Sequence, residues 1–226
     1  NGYPEHVPAI TNPFIELGYI DYELAMIRIS IFNKYGSYKQ LLSEINDMLM
    51  LFPESHEILL IKAETFLNMG EYEQSVVLCE SGLEQYPELT QDFYLCILRA
   101  SVKSGIDAQE LFLEAISHNP ESKVLIELYL NYLVSVDKSY DAFDFADLKD
   151  LSLAKPTWEY LVVSILIMNN KLDIAFNVME ERFNDGKLSP ESCKVFASFH
   201  IEKNNHDLAL EIASDLLMNY PDNQEF

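Results

Sequence analysis

The sequence predicts an all-α fold, a solenoid of about six helix-turn-helix repeats, and three observations support this prediction. Two separate stretches of the chain share one residue pattern. Mostly small residues return at a nearly constant interval along most of the chain. From Asp21 onward, the apolar residues follow a helical period.

The first observation compares residues 70–88, GEYEQSVVLCESGLEQYPE, with residues 36–54, GSYKQLLSEINDMLMLFPE. Each stretch opens with a glycine followed closely by a tyrosine, and each ends with an aromatic residue, a proline and a glutamate. Tyr38 and Pro53 of one stretch correspond to Tyr72 and Pro87 of the other, at the same separation. Because a proline just past a helix ends it, each stretch is predicted to hold one helix of a hairpin.

The second observation is a helix position that recurs with a nearly constant period of about 34 residues, a length typical of stacked helical repeats. It is occupied by Leu41, Ser75, Ala108, Ala142, Ala175 and Ala209. Four residues later lie Ile45, Cys79, Phe112, Ala146, Met179 and Ala213. Small side chains let two helices approach closely, so Ala175 and Ala209 are predicted to lie in helix–helix contacts.

The third observation divides the chain into six predicted hairpins. Their approximate helix ranges are 21–35 with 38–51, 55–69 with 71–85, 90–104 with 107–117, 122–136 with 139–150, 156–168 with 172–183, and 190–203 with 207–219. Asp21 can cap the first helix, whose apolar face holds Ala25, Ile29 and Phe32. Each hairpin has too little core of its own, so its stability is predicted to come from stacking on its neighbours.

Residues 1–20 are predicted to be an extended N-terminal arm, because Pro4, Pro8 and Pro13 push the residue before each of them away from helical dihedral angles. Residues 21–226 are predicted to be one helical repeat domain. Its approximate repeats are 21–54, 55–88, 89–121, 122–155, 156–189 and 190–222. Since the first residue is Asn1, we expect a fragment or a processed chain.

This pattern resembles the tetratricopeptide repeat over about residues 21–222. Residues 55–88 match best, with Ala63 and Phe66 in the first helix, and Gly70, Tyr72, Ser75, Gly82 and Pro87 after it. The third to fifth repeats are degenerate. The resemblance implies a right-handed α-solenoid whose concave groove, lined by the first helix of each repeat, holds peptides or helices.

The composition limits the kinds of partner. The formal net charge is −22, which disfavours nucleic acid and anionic membrane surfaces and favours basic partners. The alternative is that the acidity only keeps the array soluble. Three cysteines without paired spacing argue against a disulfide framework and for a reducing, cytoplasmic location, and no apolar run is long enough to span a bilayer.

No motif for catalysis appears. The histidines are scattered, no H-E-x-x-H or other metal-ligand spacing occurs, and the glycines form no phosphate-binding loop. We therefore predict a protein that is not an enzyme and has no catalytic residue, metal or cofactor. Cys79 is interpreted as a small buried residue rather than a nucleophile.

Candidate partner-binding residues lie on three predicted helices. They are Glu57, Leu60, Ile61, Glu64 and Asn68 on the first helix of the second repeat, Glu127, Leu130 and Asn131 in the fourth, and the acidic stripe Asp141, Asp144 and Asp147. The apolar members can face either the groove or the neighbouring helix, and the acidic ones can dock basic residues or be simply solvated. Lys62, Arg99 and Lys103 are out of register for the clamp that binds chaperone tails in some tetratricopeptide proteins.

Three functional hypotheses follow. The chain is an interaction scaffold or adaptor of a larger intracellular complex, which binds through the groove, the acidic faces or the N-terminal arm. Alternatively, it is a non-catalytic segment of a larger enzyme, or a structural spine that self-associates through terminal residues such as Leu210, Leu217 and Met218. A specific form of the first hypothesis is a fungal trafficking adaptor of the exomer type, because the Asn, Ser, Lys and Glu usage resembles that of fungal proteins.

Overall fold

The computed structural model describes residues 6–17, 19, 21–150 and 157–219. Within these ranges it has thirteen α-helices, a short 3₁₀ helix at Pro87–Leu89 and no β-strand. The all-α prediction is confirmed. The predicted boundary between the fourth and fifth repeats, and the end of the sixth, lie outside the described residues.

Twelve of the helices pair into the six predicted hairpins, and each begins and ends within two residues of its predicted bounds. They are α2 (Tyr22–Tyr35) with α3 (Tyr38–Leu51), α4 (His56–Met69) with α5 (Tyr72–Gln85), α6 (Thr90–Ser104) with α7 (Gln109–His118), α8 (Lys123–Ser135) with α9 (Ser139–Asp150), α10 (Trp158–Met168) with α11 (Leu172–Asn184), and α12 (Pro190–Glu202) with α13 (His206–Asn219). The predicted cap is present, since the Asp21 side chain accepts a hydrogen bond from the Leu24 amide.

One turn conformation joins the two helices of a hairpin in five of the six repeats. A single residue there has φ between 57° and 80°, and these residues are Gly70, Gly105, Asp137, Asn170 and Asn204. The next amide donates to a carbonyl five residues earlier, as from Glu71 to Phe66 at 2.9 Å. Gly, Asn and Asp tolerate this left-handed conformation, which satisfies carbonyls at the helix end.

The recurring helix position is buried in every repeat. Its six residues, Leu41, Ser75, Ala108, Ala142, Ala175 and Ala209, are between 0% and 7% exposed. The position four residues later is 0% exposed in the first five repeats, and Ala213 in the sixth is exposed. The sequence period therefore marks the packing between helices.

The chain divides into two compact units, residues 1–125 and 126–226. Two apolar clusters lie among the described residues of the first unit. One is centred on Ile29, Ile45 and Ile58, and the other on Ala63, Phe93 and Ile97. In the second unit the fully buried side chains include Leu133, Val162, Leu166, Met179 and Ile212.

The N-terminal segment differs from its prediction. Residues His6–Glu16 form a helix, α1, so the expectation of an extended arm is wrong for this stretch. Pro8 lies in the first turn, where a backbone amide has no intrahelical partner to lose, and only Pro13 removes an internal hydrogen bond. The part of the predicted arm that precedes His6 lies outside the described residues.

A buried ion pair connects α1 to the first hairpin. Arg28 donates to both carboxylate oxygens of Glu44, at 2.5 and 2.9 Å, and also to Thr11 and Asn12 of α1, at 2.5 and 3.0 Å. Arg28 and Glu44 are 3% and 4% exposed. The guanidinium is therefore paired and hydrogen-bonded, which a buried charge requires.

The cysteines also differ from their prediction. A disulfide joins Cys79 of α5 to Cys96 of α6, and Cys193 is free and buried. The expectation that the cysteines would be unpaired is wrong for Cys79 and Cys96. A residue of one helix and a residue half a repeat later, on the following antiparallel helix, can face each other, and this half-period spacing was the signal available in the sequence.

Candidate interaction surfaces

The α4 helix carries five of the candidate residues, and they separate into two groups. Glu57, Glu64 and Asn68 are exposed. Leu60 and Ile61 are half-buried, because Ile61 packs against the first apolar cluster and Leu60 against the second. The apolar candidates of α4 thus contribute mainly to packing between repeats, and its polar candidates form the accessible surface.

Glu57 is held by the preceding repeat. The Tyr22 hydroxyl donates to Glu57 Oε2 at 2.6 Å and lies 2.9 Å from Ser55 Oγ. Burial, followed by the hydrogen bond to Glu57, raises the pKa of Tyr22. The hydroxyl therefore stays protonated at neutral pH and fixes the orientation of the Glu57 carboxylate.

A cleft of about 530 Å³ opens beside this pair. It is lined by Tyr22, Leu51, Phe52, Pro53, Glu54, Ser55, His56 and Glu57. The rings of Tyr22 and Phe52 meet edge to face with their centroids 5.5 Å apart. We name this feature the α2–α4 cleft. Its apolar and aromatic wall lies beside two carboxylates, Glu54 and Glu57, which suits an apolar side chain next to a Lys or Arg.

Two basic residues near the exposed carboxylates lie on α4 and on α6. Arg99 of α6 lies 3.4 Å from Glu64, and both side chains are about half exposed. Lys62 lines a second cleft, of about 440 Å³, with Phe66 and Val77 among its walls. Arg99 is thus engaged with a carboxylate of this chain, and Lys62 belongs to a different surface from Glu57 and Glu64.

The candidates on α8 and α9 are also divided by burial. Glu127, Asn131, Asp141 and Asp144 are exposed. Leu130 is 0% exposed, so its side chain is part of the core rather than of a binding surface.

Asp147 is the acidic-stripe residue that forms an ion pair within the chain. Both of its carboxylate oxygens accept from Arg182, at 2.6 and 3.1 Å. Arg182 also lies 3.5 Å from the buried Glu159, whose pKa is raised by burial and partly lowered by its hydrogen bonds and by Arg182. Asp147 therefore connects α9 to α11 while its side chain stays 45% exposed. Asp141 and Asp144 are the other exposed carboxylates of the stripe.

Three features of the described residues bear on metal binding, thiol chemistry and membrane insertion. No group of three or more His, Cys, Asp or Glu side chains in those ranges is placed to hold a metal ion. Burial raises the pKa of the Cys193 thiol to about 12, so the nucleophilic thiolate is scarce at neutral pH. Among the helices of the described part, none is long and apolar enough to cross a bilayer.

Comparisons with known proteins identify the fold. No family model and no curated protein matches the chain. A crystal structure of a tetratricopeptide repeat protein from Parabacteroides merdae is similar, with a TM-score of 0.50 and 14% identity, covering 98% of this chain and 94% of the other. MamA, residues 41 to the end, from Desulfovibrio magneticus has a TM-score of 0.36 and 12% identity, covering 89% of this chain and 96% of the other. The Parabacteroides likeness, together with the hairpins, establishes a tetratricopeptide-like fold.

Proposed function

We propose that this chain is a protein-interaction scaffold that binds a segment of a partner protein in the α2–α4 cleft and on the exposed polar residues of α4. The observation that supports this most is the cleft itself, where an aromatic wall adjoins two carboxylates. The partner segment would place an apolar side chain against Tyr22 and Phe52 and a Lys or Arg beside Glu54 and Glu57. A nucleic acid does not fit, because the chain has a net charge of −22.

A protein with this function is an adaptor or assembly scaffold without catalysis of its own. A trafficking adaptor is one member of this class, and the identity of the captured partner tests it. The compartment is a separate question, since disulfides such as Cys79–Cys96 are rare in the reducing cytoplasm that the sequence predicted. Alkylating the free thiols at the moment of cell lysis and measuring the protein's mass would show whether it resides in a reducing or an oxidising compartment. Three alkylated cysteines indicate the reducing compartment, and one or none indicates the oxidising one.

The test is a pulldown with residues 1–226 from a cell extract at low and high salt, followed by mass spectrometry. The double variant Glu54→Gln/Glu57→Gln removes both charges of the cleft without changing its size. A matched double variant, Glu80→Gln/Glu84→Gln on α5, changes the total charge equally at another surface. We expect the specific partner to be lost with the cleft variant, retained with the α5 variant, and weakened by salt.

Two results would contradict the proposal. If both double variants retain the partner as the wild type does, the α2–α4 cleft is not the docking site. If the folded wild type retains no specific protein at either salt concentration, the scaffold function itself is wrong.

A further inference from the structure

The last described helix, α13, carries an apolar stripe whose counterpart in the preceding hairpin is covered by another helix. Leu210, Ala213 and Leu217 of α13 lie along one side of the helix, and we name them the terminal stripe. Leu210 is 66% exposed, Leu217 is 55% exposed, and Ala213 is also exposed. No described residue covers these side chains as α12 covers their counterparts in α11.

The counterparts are found one repeat earlier, as Phe176, Met179 and Phe183 of α11. There the rings of Phe176 and Phe183 lie 5.5 and 5.8 Å from the ring of Phe196 in α12. Met179 is 0% exposed. The next helix of the array therefore packs on these positions.

The second repeat shows the same arrangement within the first unit. Val76 and Leu83 of α5 pack against the cluster that contains Phe93 of α6, and Cys79 is bonded to Cys96. The three α5 residues occupy the same repeat positions as the terminal stripe. An amphipathic helix that fits these positions is thus already present twice in this chain.

An acidic ridge borders the terminal stripe. Asp207, Glu211 and Asp215 are spaced by four residues along α13, and all three are exposed. A helix that covers the stripe would place one flank beside these carboxylates. Two stripes of two copies of this chain would bring their acidic ridges close together, and like charges disfavour that pairing.

We propose that the terminal stripe binds an amphipathic helix of a partner protein, whose apolar face is flanked by Lys or Arg. The apolar side chains of that helix take the place that Phe196 has on α11, and its basic flank faces the acidic ridge. This surface lies in the second unit, and its function does not depend on the α2–α4 cleft.

The test measures binding of a fluorescent synthetic helix, with leucine at every third and fourth position and lysine on both flanks, to residues 1–226 by anisotropy. We expect saturable binding that weakens at least about tenfold in Leu210→Glu and in Leu217→Glu. Each variant places a carboxylate against the leucine side chains of the synthetic helix. Met168→Glu changes another exposed apolar side chain, on α10, and should bind as the wild type does. The same helix with glutamate flanks should bind about tenfold more weakly.

Several outcomes would overturn the proposal. It is wrong if the wild type does not bind the lysine-flanked helix, if both leucine variants bind as the wild type does, or if the glutamate flanks make no difference. It is also wrong if sedimentation shows wild-type self-association that Leu217→Glu abolishes, because a second copy then covers the stripe. The Glu54→Gln/Glu57→Gln variant should bind this helix normally, which separates the result from a failure of the cleft.

Discussion

Gly82 shows how one residue is fixed by packing rather than by backbone conformation. It lies in the middle of α5, where a Cβ atom would come 2.0 to 2.5 Å from three ring atoms of Phe93. Phe93 is 0% exposed, so its ring has little room to move. The missing side chain lets α5 and α6 approach closely.

We predict that Gly82→Ala lowers the free energy of unfolding by about 1–3 kcal/mol, the usual cost of overpacking a core. The overlap should outweigh the gain of about 1 kcal/mol that alanine has over glycine in a helix. Urea denaturation measures the difference, with the exposed Glu84→Ala of the same helix as the control. A stabilised Gly82→Ala variant would show that Phe93 can move aside.

The buried ion pair of Arg28 and Glu44 also depends on single residues. We predict that Glu44→Ala costs about 3–5 kcal/mol of stability, because it leaves the buried guanidinium without its carboxylate. The control is Glu64→Ala, which breaks the exposed pair with Arg99 and should cost at most about 1 kcal/mol. Equal losses in the two variants, measured by denaturation, would mean that Arg28 is hydrated or paired in another way.

At the scale of the element, the repeat positions allow a matched comparison. Ala175 is 0% exposed in a helix–helix contact, whereas Ala213 is exposed on α13. We predict that Ala175→Leu lowers the unfolding free energy by about 1–3 kcal/mol and that Ala213→Leu changes it little. Thermal denaturation of both variants tests this, and an unaffected Ala175→Leu would show that the repeat register is wrong.

The disulfide connects two elements of different repeats. We predict that reducing Cys79–Cys96 lowers stability by about 3 kcal/mol, the value expected for a closed loop of this size. Denaturation with and without a reductant measures the loss, and Cys79→Ala/Cys96→Ala should show no further response to reductant. Cys193 should remain unlabelled by iodoacetamide until the protein unfolds. Three labelled cysteines in protein that is unfolded without a reductant would mean that the bond is absent.

For the whole molecule, the repeat array could be predicted from the sequence because one position of the second helix of each hairpin recurs about every 34 residues. The burial of the recurring position, from Leu41 to Ala209, follows from the spacing of its residues in the sequence. The helix α1 was not predicted because its prolines suggest an extended chain. Its hydrogen bonds to Arg28, which lies 16 and 17 residues after its partners Asn12 and Thr11, leave no local signal in the sequence. A repeat period predicts only structure that recurs in the chain, whereas α1 and its contacts to Arg28 occur once among the described residues.

The candidate surfaces were less predictable because they depend on contacts that do not recur from repeat to repeat. Whether Leu60, Ile61 and Leu130 face a groove or a neighbour depends on how hairpins pack, which spacing alone does not specify. The link between Tyr22 and Glu57 joins two repeats, and so does the pair of Asp147 with Arg182. The carboxylates of Glu57 and Asp147 are therefore held by side chains of another repeat rather than by solvent alone.

The net charge of −22 also has a consequence for the whole molecule. We predict that adding sodium chloride raises the melting temperature, because salt screens repulsion among the acidic side chains. Most of the gain should come below about 0.15 M, where the screening length has fallen to about 8 Å. A melting temperature that falls over this range would show that favourable ion pairs outweigh the repulsion.

The bond between Cys79 and Cys96 also limits how far the chain can be stretched. The two residues are 17 positions apart, so the segment between them cannot lengthen when the ends of the protein are pulled. At about 3.3–3.6 Å per extended residue, and with 6.4 Å between the two bridged Cα atoms, this withholds about 50–55 Å of contour length. If the protein is pulled between two attachment points, oxidation would therefore shorten its reach at full extension.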